Sequence, residues 1–423
     1  MAEIIPFKGI LYNPLKVDAS SAVAPPYDIV THDGKNELYD RSPHNIIRID
    51  FGKDSDGDNE EVNRYTRASG YLSDWLEQGV LIKDPEPYFY CYEIEYMIDG
   101  RAKKTRGYFC AVRLEEIGKG SIRPHEMTYS KPKTDRLNIL RFCNANTSPI
   151  FSLYSSQERI ASSILEEIVR ERPFIEAGTG DGSVHRLWKI TDRDSIEKIQ
   201  KEVSGRDIFI ADGHHRYETS LAFRKEMQEK GLCRTGTEPF NYVLMFLSNM
   251  EEEGLSLLPT HRIVEVDSDL RIKEVLGKYF DIQKINSAEL SGKQAMQKMF
   301  GMMKKSVHTF GMYLTNADTY YVLSFNAPQL NVDLPECLKG LDVSVLHKVI
   351  FEDLLKIEHY EYEMDPDVAV DRANKGSFEA VFFLNPTRIH DVKEVASAGF
   401  RMPPKSTYFY PKLLTGMVMY CFD

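Results

Sequence analysis

The sequence predicts an α+β protein with mixed sheets, and three observations lead there. Two stretches rich in Tyr, Phe, Ile and Val, at 88–97 and 105–114, flank Asp99-Gly100, a hairpin signal. The apolar run Ile208-Phe209-Ile210-Ala211 reads as a buried strand and passes through the polar turn Asp212-Gly213 into helical spacing over 214–230. Farther on, helix-like and strand-like segments alternate without an internal repeat: helices at 270–280 and 288–304, then a hairpin from 310–314 and 320–325.

At 423 residues, 42% hydrophobic and 28% charged, the chain is long enough for two or three domains of ordinary globular composition. The division expected is an N-terminal α+β region at 1–115, a core at 116–265 and a C-terminal α+β region at 266–423. No apolar run reaches the length of a membrane span, and 1–8 lacks a basic segment followed by an apolar one. The six cysteines show no Cys-x-x-Cys spacing, which predicts free thiols in a reducing cytoplasm and no structural zinc. A net charge of −11 argues against a general nucleic-acid binder.

Taken in order, Ala24-Pro25-Pro26-Tyr27-Asp28 is an extended segment stiffened by two prolines, read as a rigid surface turn. Ile46-Ile47-Arg48-Ile49-Asp50 is predicted as a strand, and 62–77 as a helix stopped by Gly79. A basic cluster follows: Arg123-Pro124-His125-Glu126, then Lys131, Lys133 and Arg136, with a short helix at 137–143. Four cations on a proline-stiffened loop suit an oxyanion; a solvated charged loop is the plainer alternative. The glycines of 178–182 lack the ending of a phosphate loop and are read as a turn. His261-Arg262 lies in a short strand, where a structural histidine is the expectation, and 343–355 is a helix carrying His347. In the tail, prolines bracket Lys405-Ser406-Thr407, whose cation and hydroxyl groups suit a phosphate.

The chemistry concentrates at Asp212-Gly213-His214-His215-Arg216. A helix start presents unpaired N–H groups and partial positive charge, which suits phosphate or carboxylate. Arg216 adds a two-pronged donor, and the histidines can move protons. Adjacent histidines project about 100° apart on a helix, so they do not form a zinc site, although Asp212 or Asp28 could take magnesium.

These segments together resemble the bacterial and archaeal domain-of-unknown-function 1015 family over nearly the whole chain. The matching segments are Ala24-Pro25-Pro26-Tyr27-Asp28, Arg123-Pro124-His125-Glu126, Ser130-Lys131-Pro132-Lys133 with Asp135-Arg136, Ser148-Pro149-Ile150, Leu341-Asp342-Val343, and the stretches 211–219, 258–262 and 402–412. At Met127-Thr128-Tyr129 the chain departs from the Arg-Thr that precedes Ser-Lys-Pro in the family. The Asp212-Gly213-His214-His215-Arg216 turn also resembles the phosphate-binding box of the ParB/sulfiredoxin-like superfamily, which implies such a core at 116–265 and a nucleotide phosphate (ATP, ADP or CTP) at the helix start. Sulfiredoxin chemistry needs a cysteine where this chain has His214 or His215. The resemblance points to serine or phosphoserine as the small-molecule partner.

The expected function is therefore phosphoryl chemistry on a small metabolite, of the serine kinase or phosphoserine phosphatase type. Glu126, His125, His214, His215 and Asp212 are the expected acid–base groups. Gly213, Arg216, Arg123, Lys131, Lys133, Arg136, His261, Arg262, Lys405 and Ser406 are the expected phosphate and substrate ligands. A nucleotide-binding regulator without turnover is the alternative; a nuclease or DNA-binding module is disfavoured by the charge.

Overall fold

The computed structural model describes residues 2–98, 100–128, 130–266, 269–286, 290–304, 308–326, 333–376 and 378–422, with the side chains of 130–132 and 269–270 outside the description. Two compact units divide it. The first comprises Met1–Pro124, Thr128–Leu255 and Pro411–Asp423; the second comprises His125–Met127 and Ser256–Tyr410. The breaks expected at 115/116 and 265/266 are not where these units part. The reason is long-range pairing: strand Met419–Cys421 pairs with both Gly9–Tyr12 and Ala145–Asn146, so the end of the chain belongs with its beginning.

The first unit is built on a nine-stranded mixed sheet. Its fully buried strand Tyr242–Asn249 pairs antiparallel with Arg101–Arg113 and parallel with Ile150–Tyr154. Burial on both faces explains why that strand is an unbroken apolar run. The expected hairpin joins Phe89–Ile98 to Arg101–Arg113, with Ile98 opposite Arg101; Asp99 lies outside the described residues. Strand Ile208–Asp212 pairs antiparallel with Ile150–Tyr154 and parallel with Ile122–Arg123, and its register shifts between Ile210 and Asp212. This irregularity lies where the strand turns into helix His214–Glu229. Tyr217 of that helix is fully buried in one cluster with Ile210, Tyr108 and Leu247 of the sheet, which fixes how the helix start sits over the strand end.

A four-stranded sheet of Leu81–Lys83, Gly9–Tyr12, Met419–Cys421 and Ala145–Asn146 packs with helix Arg64–Glu77 around Ile10, Ile47, Trp75, Ile139 and Met419. The strand expected at 46–50 is instead a short helix, Ile47–Asp50. The Asn45 side chain accepts from the Ile47 amide at 3.0 Å and starts the turn. Ile46, Ile47 and Ile49 are all buried, so the apolar run carries no period that separates helix from strand. The helix expected at 137–143 begins earlier, as Ser130–Cys143.

The second unit holds a six-stranded antiparallel sheet in the order Phe280–Lys284, Thr319–Phe325, Thr309–Leu314, Ala380–Phe383, His261–Val264 and Tyr360–Glu363. The helix expected at 343–355 is α-helical only over Asp342–Val345 and continues as a π-helical stretch, Leu346–Leu355. All six cysteines are free. Among the described residues, no helix is long and apolar enough to cross a membrane.

Candidate functional site

Gly213 caps the start of helix His214–Glu229 at φ +93°, a left-handed conformation that side chains resist. The Arg216 side chain, 10% exposed, folds back against it: a Cβ built on Gly213 would stand 2.9 Å from Arg216 Nε and 3.0 Å from its Cζ and Nη2. Both constraints demand glycine. Gly213→Ala is expected to cost about 1–2 kcal/mol and to push the guanidinium aside, a change that urea titration of the full chain would read as a lowered midpoint.

Arg216 is held from three directions. Its Nη1 donates to the Pro149 carbonyl and, at 3.5 Å, to Ser148 Oγ; its Nη2 donates to Asp212 Oδ2 at 3.2 Å. Its Nε is buried and has no hydrogen-bond partner among the described residues. A buried guanidinium N–H without an acceptor costs free energy unless water or a ligand supplies one. Lys412 Nζ lies 3.4 Å from Asp212 Oδ1, so one carboxylate sits between two cations. Along the same helix, Glu218 pairs with Lys133 and accepts from Thr128 Oγ1 at 2.8 Å.

Beside this junction lies a charged cluster in the interior. Arg136 is 4% exposed; its Nη1 is 3.1 Å from Asp50 Oδ1, and its Nε donates to Asp135 Oδ2 at 2.9 Å. Thr147 Oγ1 donates to Asp50 Oδ1 at 2.6 Å. The Arg136 guanidinium stacks 4.0 Å over the Tyr27 ring. Arg136 and Arg216 border one cavity of about 30 Å³, with Thr147, Ser148, Thr219 and Ser220 among its walls, enough for about one water molecule.

The sequence-derived site residues separate accordingly. In the first unit, the junction brings together Asp212, Gly213, Arg216 and the start of the histidine pair, of which His214 is buried and His215 half-buried. Arg136, expected to hold phosphate, spends its donors on Asp50 and Asp135. Lys133 is engaged by Glu218, and Arg123 Nε lies 3.2 Å from Asp207 Oδ2. The side chain of Lys131 lies outside the described residues.

In the second unit, His125 is fully buried with Nε2 2.9 Å from Thr407 Oγ1, and Glu126 Oε1 accepts from the Thr407 amide at 3.2 Å and hydroxyl at 3.1 Å. These bonds tie the tail to the His125-Glu126 segment within the second unit. Arg262 is fully buried: its Nε donates to His347 Nε2 at 3.1 Å, its Nη1 to the Thr260 carbonyl at 2.6 Å and its Nη2 to the Lys405 carbonyl at 3.1 Å. His261 accepts from the Leu384 amide at 3.4 Å between the rings of Phe300 and Phe383. Both residues are core struts, not phosphate ligands. Ser406 Oγ donates to the Pro403 carbonyl at 2.6 Å, while Lys405 is exposed at φ +55°.

Magnesium at Asp212 does not fit a carboxylate already facing Arg216 and Lys412. Among the described residues, no group of three or more His, Cys, Asp or Glu gathers to hold a metal. Sequence reasoning did not name Tyr27, Asp50 or Lys412 among the site residues. The proline pair before Tyr27 and the lysine near the end of the tail were the available signals, but spacing alone does not reveal partners so remote in sequence.

Among solved structures the chain is similar to a conserved hypothetical protein from Pyrococcus furiosus (13% identity, 71% of this chain and 94% of that chain, TM-score 0.35). It is similar also to a free serine kinase in complex with ADP (13% identity, 68% and 84%, TM-score 0.35) and to SbnI from Staphylococcus aureus (10% identity, 73% and 85%, TM-score 0.37). Likenesses this weak carry no argument about activity. No curated protein matches the chain. The family model described as "Protein of unknown function (DUF1015)" matches residues 4–344, four-fifths of the length, and the chain belongs to that family.

Proposed function

We propose that the chain acts on phosphoryl groups of a small metabolite, of the serine kinase or phosphoserine phosphatase type, with the phosphate seated at the start of helix His214–Glu229. The observation that carries this reading is the buried Arg216 Nε, which has no partner among the described residues and lies against the Gly213 turn. A bound oxyanion would satisfy that donor and the first-turn amides together. Arg216 and Lys412 supply positive charge where a transferring phosphoryl group concentrates negative charge. His215, more exposed than His214, is the imidazole assigned to proton transfer. The strand–glycine–helix arrangement also fits the ParB/sulfiredoxin-like box that the sequence resembles, with ATP, ADP or CTP as phosphoryl donor in the kinase direction.

The test is incubation of the full chain with serine plus labelled ATP, ADP or CTP, and separately with phosphoserine, following transfer or release of phosphate. Arg216→Ala is expected to lower kcat/KM by about 10²–10³. If no nucleotide and no phosphoserine raises the melting temperature, the phosphate site itself is refuted.

A second reading, a nucleotide-binding regulator without turnover, is favoured by one feature. Both carboxylates of the helix start, Asp212 and Glu218, are already engaged by cations, Arg216 with Lys412 and Lys133 respectively. Such pairing balances charge in a binding site but leaves neither group poised as a base. Saturable nucleotide binding with no phosphate transferred would select this reading.

A further inference from the structure

We infer that Tyr27 is a ligand-contacting residue of the anion site at the start of helix His214–Glu229, its phenol donating a hydrogen bond to a phosphate oxygen held there. The inference rests on the phosphate-site reading above and extends it to a segment that the sequence presents only as a stiff turn.

The first support is the way the Tyr27 segment is fastened. Ala24 forms an isolated antiparallel bridge with Thr415: its amide donates to the Thr415 carbonyl at 3.2 Å, and the Thr415 amide donates back at 2.8 Å. Thr415 lies three residues beyond Lys412, which reaches Asp212. Pro26, at φ −57° and ψ 143°, then carries the chain into the single 3-10 turn Tyr27–Ile29. One short piece of tail therefore fixes both the cation on Asp212 and the loop bearing Tyr27.

The second support is the platform beneath the ring. Arg136 lies 4.0 Å from the ring centroid and is itself locked by Asp50 and Asp135. A desolvated guanidinium over a tyrosine face is a favourable contact. Arg136 also borders the same small cavity as Arg216. The path Asp212–Lys412–Thr415–Ala24–Tyr27–Arg136 thus leads from the helix start round to the cavity beside Arg216, wholly within the first unit.

The third support is the hydroxyl. Among the described residues, Tyr27 Oη makes no hydrogen bond, although the ring is half-buried. Oη is not among the buried polar atoms that lack a partner, so it stays open to water and to a ligand. Burial pushes the phenol up to about 12, against the opposing pull of the Arg136 and Arg216 guanidiniums, so at neutral pH it is a donor without charge. A neutral donor within the field of Arg216 can bind an oxyanion without a further buried cation to compensate.

The experiment is calorimetric titration of the full-length protein with inorganic phosphate and, separately, with ATP, comparing the parent chain, Tyr27→Phe and Arg216→Ala. The phenylalanine keeps the ring on Arg136 and removes only the oxygen. It is expected to bind phosphate about tenfold more weakly, with its ligand-free melting temperature unchanged. Tyr27→Leu, which also removes the ring, is expected to lower the ligand-free melting temperature as well. Equal affinity of Tyr27→Phe and the parent, with affinity lost in Arg216→Ala, overturns the assignment of Tyr27 and leaves the phosphate site standing. A lower ligand-free melting temperature for Tyr27→Phe also overturns it, because the hydroxyl would then serve the fold. If the parent binds neither phosphate nor ATP, both the site and the role of Tyr27 fall.

Discussion

Replacing Asp50 by alanine is expected to destabilise the first unit by about 3 kcal/mol, the lower end of the range for breaking a buried ion pair because one carboxylate remains. Asp50 is 1% and Arg136 4% exposed. The substitution leaves the guanidinium with one carboxylate, Asp135, and the main-chain carbonyl of residue 50, and deprives Thr147 Oγ1 of the oxygen it donates to at 2.6 Å. A charge held away from water with half its compensation gone is costly, whereas removing both charges is not. The double variant Asp50→Ala/Arg136→Met should therefore recover most of the loss in urea titrations at pH 7. The two sets of variants separate fold from site. Asp50→Ala disturbs the platform under Tyr27 and should weaken phosphate binding as well as stability. Tyr27→Phe should weaken binding alone. A stability loss of only a few tenths of a kcal/mol for Asp50→Ala would mean that water reaches Arg136 and that the cluster is not the dry support inferred for Tyr27.

Much of the secondary structure was legible because periodicity and local stop signals act within a few residues. Helix Arg64–Glu77 has its apolar spacing, a capping box at Asn63 and Thr66, and Gly79 at φ +66° after its end. The junction at Gly213 was legible for the same reason: strand, glycine and helix are contiguous in sequence. What failed depended on distant partners. Ile46 to Asp50 reads equally as strand or helix until Asn45 and the surrounding core decide it. Of the two lysines bracketing Ser406 to Pro411, the sequence favoured Lys405 for its neighbouring hydroxyls, yet Lys412 is the one that reaches Asp212. His125, His261 and Arg262 carry the same chemistry as the residues gathered at the Gly213 junction. Only their burial and their protein acceptors and donors mark them as internal ties.

Acidification should unfold the second unit well before carboxylate titration dominates. His261 and His347 are both held down to about 3, first by burial and then by the Arg262 charge. Each is also an acceptor: Leu384 N–H donates to His261 Nδ1 at 3.4 Å, and Arg262 Nε donates to His347 Nε2 at 3.1 Å. A proton on either acceptor nitrogen breaks its bond and adds a second positive charge beside Arg262. The unfolded chain takes up these protons near pH 6.5, while the folded chain resists them to about pH 3. Unfolding therefore binds protons throughout that window, and stability is present above it and lost as pH falls. Between pH 6.5 and 5 the pair should remove about 3 kcal/mol, at up to about 1.4 kcal/mol per pH unit for each histidine. His185 of the first unit, held down to about 4 by burial with Nδ1 2.6 Å from the Tyr92 hydroxyl, should add a smaller dependence there. Urea titrations at pH 6.5, 6.0, 5.5 and 5.0 read the slope directly. His347→Gln keeps an acceptor for Arg262 and should remove about half of the second unit's dependence. A stability that stays flat from pH 6.5 to 5 would show that these histidines already carry protons in the fold. The Arg262 strut would then have to be held by something other than neutral imidazoles.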